Sequence, residues 1–435
     1  MTAVNDSRRR AVFSWALYDW ANSAFACTVL AGFFPVFFKS FWSAGVPATE
    51  STFRLGLVNS ASSMVIALTA PVLGALADTG RARKRWLLGG LVLGVSATAS
   101  LFFVGKGQWA GAALLFAIAS IGWMGANVFY DSLLMFVAPP ERRDRASALG
   151  YALGYLGGGL LFAVNVAMTL SPKTFGLADA AEAVRISFVS VALWWAVFAV
   201  PLFLFVPEGI GGQRQPWRVV VVESARRLRH TFGEIRKLPQ VYGFLLAYWL
   251  YIDGVDTIMR MAVDYGMAIG LGSKDLITAL LITQFVGFPS ALAFGYLGEK
   301  VGAKLGISIG IVVYGGVTVY AGFLRDASGF YILAVVVGLV QGGIQALSRS
   351  LYARLIPPSE ASEFFGFYNM LGKFAAIAGP LLMGVVSVAT GSPRWSVLSL
   401  LVLFALGGWL LTRIDVRQGE VDARAWDERA RAGVS

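Results

Sequence analysis

The sequence predicts an all-α integral membrane protein: twelve transmembrane helices in two pseudo-symmetric six-helix halves, with both termini cytoplasmic. Three observations carry this expectation. First, 57% of the 435 residues are hydrophobic and 14% are charged, with a mean hydropathy of +0.67. A soluble domain carries about 25% charged residues. A spanning helix takes about 20 apolar residues, so this length suits about a dozen spans with short loops and no large soluble domain. Second, basic residues cluster in alternate polar gaps: Arg8, Arg9 and Arg10; Arg81, Arg83, Lys84 and Arg85; Arg142, Arg143 and Arg145; Arg226, Arg227 and Arg229. The gaps between hold one or so each, such as Lys106, Lys173, Lys274 and Arg325. That alternation is the positive-inside pattern and requires an even number of spans. The net charge of +11 is then a topology signal, not the footprint of a nucleic-acid partner. Third, the two halves repeat.

The spans fall at 12–40, 54–77, 86–105, 109–138, 146–171 and 185–206, then 239–264, 275–297, 304–324, 329–356, 364–390 and 394–414. Residues 1–206 form the first bundle and 239–414 the second. Between them, 207–238 opens on Pro207, Gly209, Gly211 and Gly212. There Ala225, Leu228, Phe232, Ile235 and Leu238 recur at three and four residues, the spacing of an amphipathic helix on the cytoplasmic membrane surface. Residues 415–435 read as a polar, mobile cytoplasmic tail. The first apolar stretch is too long for a signal-peptide core and lacks a small-residue cleavage site, so it reads as a retained anchor. Cys27 is the single cysteine, a packing residue that excludes an internal disulfide.

The repeat is visible in three places. Asp19, Asn22 and Ser23 of the first span match Asp253, Asp256 and Thr257 of the seventh. Gly74 to Asp78 after the second span matches Gly295 to Glu299 after the eighth. Asp131, Ser132 and Leu133, followed by Pro139 and Pro140, match Arg349, Ser350 and Leu351, followed by Pro357 and Pro358. Duplicated halves are common in secondary transporters, with the site between them near the midplane.

These residues carry a family resemblance. The run from Gly74 through Asp78, Gly80 and Arg81 to Arg85 resembles the loop signature of the major facilitator superfamily. More narrowly, Trp15, Tyr18, Asp19, Trp20, Asn22, Ser23 and Phe25 resemble the vacuole-effluxer-like branch, the autophagy-related permeases and their bacterial relatives. Tyr251, Asp253 and Gly254; Gln345, Ser348, Arg349, Ser350 and Leu351; Glu363, Gly366 and Tyr368; and Gly154, Gly157 and Gly158 belong to the same pattern. The resemblance implies a major facilitator fold with helices 1, 4, 7 and 10 lining the cavity, and efflux of amino acids.

Charged residues inside spans cost about 2.5–3.5 kcal/mol each on insertion scales, so each needs a partner, a cavity or a function. Helical spacing places Asp19, Asn22 and Ser23 on one face of the first span, and Asn127 with Asp131 on one face of the fourth. Asp253, Asp256, Thr257, Arg260 and Asp264 stripe the seventh, and Gln341, Gln345, Ser348 and Arg349 the tenth; the eleventh adds Asn369 and Lys373. Spans three, six, nine and twelve lack such residues and read as lipid-facing. The candidate substrate- or proton-binding set is therefore Asp19, Asn22, Asp253, Asp256, Arg260, Gln345 and Lys373. Asp19 suits a proton or a substrate amine. Arg260 and Lys373 suit a substrate carboxylate or the neutralisation of Asp256. Asp131 and Arg349, equivalent positions of opposite sign, suit a gate or an ion pair within each half. Gly74, Asp78, Gly80 and Arg81 read as a structural loop, with Arg81, Arg83 and Lys84 meeting anionic headgroups. Lys39 and Asp264 suit an outer gate or snorkelling to the interface. Trp15, Tyr18, Trp20, Tyr130, Trp249 and Tyr251 flank these polar positions and read mostly as packing or lipid contacts.

No phosphate-binding Gly-rich loop, and only one histidine, His230, leave no ATP, zinc or other cofactor expected, and no enzyme. The reading is a monomeric secondary transporter of a small organic solute in the inner cell membrane. Amino acids lead as cargo and a proton as coupling ion. Drugs, a lysolipid or another metabolite are the alternative cargoes, and a non-transporting receptor or scaffold the alternative class.

Overall fold

The computed structural model describes residues 2–46, 82–208, 238–268, 271–390 and 392–431, with Gly233 and ten positions between Arg54 and Leu73. Those ten positions, inside the expected second span, are helical. The loop residues Gly74, Asp78, Gly80 and Arg81 lie outside the described residues, as does most of the expected amphipathic segment, Ala225, Leu228, Phe232 and Ile235 included.

Helix α1 runs Thr2–Ala24 and continues as a π-helical stretch Phe25–Phe33, a turn of α-helix Phe34–Phe37 and a second π stretch Phe38–Trp42. Pro35, which lacks an N–H, sits in the α-helical turn between the two π stretches. The following helices are α2 (Arg83–Ser100), α3 (Trp109–Val137), α4 (Arg143–Leu170) and α5 (Ala180–Phe205). The second half holds α6 (Pro239–Ala268), α7 (Ser273–Val301), α8 (Ala303–Gly322), α9 (Ala327–Leu355), α10 (Ala361–Thr390) and, after a short Pro393–Leu398 turn, α11 (Leu401–Thr412). These match spans one and three to twelve closely. No strand occurs among the described residues. Among the described residues, nine helical segments are long and apolar enough to cross a membrane.

Local chemistry sets the ends. Asp179 accepts from the Glu182 amide at 2.8 Å, and Glu182 accepts from the Ala178 amide at 2.7 Å, a reciprocal cap on α5. Asp326 caps α9 through the Gly329 amide at 2.8 Å, and that bond with the Ser328 hydroxyl holds its carboxyl below the usual range. Gly302, at φ +91°, turns α7 into α8, a conformation open to glycine.

Within the first half, α1 packs on α4 and α5, and α2 on α3 and α5; within the second, α7 and α8 pack on α9, and α6 on α10 and α11. The halves meet where α4 lies along α7 and α9, and α3 along α10. Gly154, Gly157 and Gly158 let α4 approach α1: a Cβ at Gly154 would sit 2.7 Å from Ser23 Oγ, and one at Gly158 2.8 Å from Cys27 Sγ. The lipid-facing assignment of spans three, six, nine and twelve agrees with their exposed apolar side chains: Val92, Val197, Val312 and Val402.

Two expectations change. The tail is not loose: Val416–Arg431 forms α12, which docks on the starts of α6 and α10 and the end of α9. Gly419, Ala423 and Asp427 form its buried face; Asp427 accepts from the Ser359 hydroxyl at 2.6 Å, and Trp426 meets Phe364 edge-on. Amphipathic spacing outweighs high charge here. Lys84 and Arg83 also do more than meet headgroups. Lys84 Nζ donates to the Phe203 carbonyl at the end of α5, and Lys304 Nζ repeats this in the second half on Thr412 and Ile414. Arg83, 4% exposed, donates to Ser362 of the other half at 2.7 Å and lies over Phe136.

Candidate functional site

The site grows from the duplicated register. Asp131 stands six residues before the end of α3 at Val137, and Arg349 six before the end of α9 at Leu355. The pseudo-symmetric packing of α3 and α9 brings these opposite charges together. Arg349 Nη1 donates to Asp131 Oδ1 at 3.2 Å, and Nη2 to Asp19 Oδ2 at 3.3 Å. The ion pair therefore joins the two halves. Arg349 is 2% exposed, Asp19 and Asp131 8% each.

Helix α4 supplies the rest of the socket. Arg349 Nε donates to Ser147 Oγ at 2.9 Å and Nη2 to the Ser147 carbonyl at 2.9 Å. Ser147 Oγ donates in turn to the Ala346 carbonyl at 2.8 Å. Tyr130 donates to Asp19 Oδ2 at 2.8 Å, and Trp15 Nε1 donates to the Tyr130 carbonyl at 3.0 Å while its ring stacks on the phenol at 4.7 Å. The guanidinium lies 4.3 Å from the Tyr151 ring and 4.8 Å from Trp15. Asn369 of α10 donates to the other oxygen of Asp131 at 3.2 Å. A Cβ at Gly150 would come within 3.0 Å of Arg349 Nη2 and 3.2 Å of the Tyr130 hydroxyl, so only glycine leaves the ion pair its room.

A second layer lies closer to the end that carries the termini. Asp144, fully buried, accepts from Arg354 at 2.5 Å and from the Ser350 hydroxyl. Arg143 Nη1 donates to the Ala353 carbonyl in the last turn of α9 at 2.6 Å, Arg145 pairs with Glu299 at 2.6 Å, and Ser362 donates to Ser132 at 3.0 Å. Towards the opposite end the polar links thin out. Tyr155 donates to Gln345 at 3.4 Å and Gln284 to Cys27 Sγ at 3.2 Å.

The predicted site residues divide accordingly. Asp19, Asp131 and Arg349 meet in one cluster, with Gln345 one turn above Arg349 on α9. Asn22 donates to Asn127 at 2.8 Å between α1 and α3. Asp256, half-buried, lies within electrostatic reach of Tyr151, Tyr155, Tyr248 and Tyr314, at the level of Gln345. Asp253 stands apart: 1% exposed, it accepts the Gly379 amide of α10 at 2.9 Å and the Thr257 hydroxyl at 3.3 Å. The backbone carries Arg260 on α6 and Lys373 on α10, and their side chains lie outside the described residues, with those of Lys39 and Asp264. Sequence reasoning missed Ser147, Gly150 and Tyr151 and read Trp15 and Tyr130 as packing. The available signal was the small-residue face of α4, which continues from Gly157 and Gly154 through Gly150 to Ser147.

The whole arrangement matches known architectures. The human organic anion transporter MFSD10 (TETRAN) superposes with a TM-score of 0.71 at 17% identity, covering 93% of this chain and 99% of that one. The major facilitator superfamily transporter FucP, in its outward conformation, gives 0.69 at 12% identity over 94% and 99%. The chain is 40% identical to the MFS-type transporter YxiO of Bacillus subtilis (strain 168), over 94% of this chain and 97% of that protein. It is 28% identical to autophagy-related protein 22 of Cryptococcus neoformans over 71% of this chain and 59% of that longer protein. Fold and relatives define a multi-pass membrane transporter of the major facilitator type, not an enzyme. Within that class, residues 44–424 match the family described as "Vacuole effluxer Atg22 like", and the chain belongs to it.

Proposed function

We propose that this transporter moves a small organic solute of the amino-acid class by alternating access, with a proton as the coupling ion. The observation that supports this most is the attachment of Arg349 in one half to Asp19 and Asp131 in the other. A buried charge without a partner is costly in a membrane, so this contact has a strongly preferred made state and a distinct broken one. The excess of basic residues on the loops at the termini-bearing end makes that end cytoplasmic. The described state is then closed at its cytoplasmic end. Two carboxylates share one guanidinium, and the charge left over is the place for a proton that travels with the cycle.

The solute sits above this floor, at the level of Asp256, Tyr155, Gln345, Asn22 and Asn127. A zwitterion needs one anionic and one cationic partner; Asp256 serves the amine, and Arg260 or Lys373 the carboxylate. Purified protein in liposomes loaded with amino acids, assayed by counterflow and under an imposed pH gradient, tests this. Exchange of an amino acid that accelerates with the gradient is expected. No exchange of any amino acid overturns the cargo, and exchange blind to the gradient overturns the coupling ion.

A further inference from the structure

Among the described residues, every hydrogen bond of the Arg349 guanidinium goes to the opposite half. Its Nε–H and one Nη2–H meet the hydroxyl and carbonyl of Ser147, and the remaining contacts reach Asp19 and Asp131. The walls are aromatic rings of that same half, Trp15, Tyr130 and Tyr151. These walls are braced without Arg349: Tyr130 holds Asp19, and Trp15 holds the Tyr130 carbonyl. Gly150 keeps the volume clear. The first half thus contains a preformed box for a planar, bidentate cation, and the second half inserts its own arginine into it.

We propose that, while this end is open, this box is the first binding site for the cationic head of the solute, a guanidinium or primary ammonium group, before it passes to Asp256, and that Arg349 fills it as a tethered substitute while the halves are closed. The proposal rests on the alternating-access reading. When the halves part at this end, Arg349 leaves with α9 and Asn369 with α10, and the carboxylates, the Ser147 carbonyl and the rings remain together facing the opening. Two buried carboxylates stripped of their cation favour a replacement cation, and carboxylates paired with aromatic faces suit guanidinium and ammonium groups. Occupancy of the box by the solute and by Arg349 is then mutually exclusive, so the cationic head leaves the box for the level of Asp256 before this end closes.

Thermal unfolding of purified full-length Arg349→Ala tests this with guanidinium chloride at low millimolar concentration as probe, against sodium chloride and urea at equal concentration. Guanidinium is expected to raise the melting temperature by about 2 °C or more, as a ligand that binds only the folded state does. Sodium chloride and urea should not, and adding Asp19→Asn with Asp131→Asn should abolish the shift. A guanidinium effect no larger than that of sodium chloride, or one that survives loss of both carboxylates, overturns the box. Should Arg349→Ala not yield folded protein, Arg349→Gln, close in length and able to hydrogen-bond, carries the same test. Because the readout is binding alone, the two readings fail separately. A guanidinium shift in a protein that exchanges no amino acid removes the cargo assignment and supports the box; amino-acid exchange without the shift removes the box alone.

Discussion

Asp19 on α1 and Asp253 on α6 occupy corresponding positions in the two halves, and the folded chain employs them oppositely. Asp19 reaches across to Arg349 of the other half, beside the Tyr130 phenol. Asp253 ties α6 to α10 of its own half through the Gly379 amide. A Cβ at Gly379 would lie 2.7 Å from the Asp253 carboxylate, so this contact is as closely fitted as the one at Gly150. One copy of the duplicated acid links the two halves, and the other ties helices of one half.

That contrast can be broken at either member. The largest effect is expected from Arg349→Ala, which leaves Asp19 and Asp131 without their cation; breaking a buried pair this way costs about 3–5 kcal/mol. A melting temperature well below wild type and loss of solute exchange would follow. Asp253→Ala leaves the Gly379 amide unsatisfied, at about 1–3 kcal/mol. It should lower the melting temperature while the folded fraction keeps its exchange rate, and a selective loss of exchange would erase the distinction between the two acids. Gly150→Ala pushes a methyl group against Arg349 Nη2. Overpacking of this kind costs about 1–3 kcal/mol, here charged to the closed state, so modification of an added cysteine at Ser147 by a membrane-impermeant thiol reagent from the termini-bearing side should accelerate. The smallest effect belongs to Tyr155→Phe, whose bond to Gln345 is long at 3.4 Å; stability should hold within about 0.5 kcal/mol, read by the same melt.

How far the sequence carried this picture follows from the same residues. Hydropathy and positive charge placed the spans to within a few residues, because a membrane forces long apolar helices with few exceptions. The repeat placed Asp131 and Arg349 at equal depth with opposite sign, which fixed both as partners but not to whom. Helical periodicity gives the face of a residue and not the neighbour opposite it. So Asp19 and Asp253 looked alike until the packing of α1 on α4, and of α6 on α10, assigned them to different interfaces. Ser147 contributes a main-chain carbonyl, which no side-chain pattern announces. Gly150 matters for an absent Cβ, legible only as one more small residue on a glycine-rich face. The docked helix α12 hid behind its high charge, although Gly419, Ala423 and Asp427 already stood four residues apart.

The central claim is that Arg349 holds the termini-bearing end of the two halves together. Double electron–electron resonance between spin labels at Arg142 and Lys300, on opposite halves at that end, reads the claim directly. Wild-type protein should give one short distance, and Arg349→Ala should add a distinctly longer population. An identical distance distribution in both proteins would contradict the account.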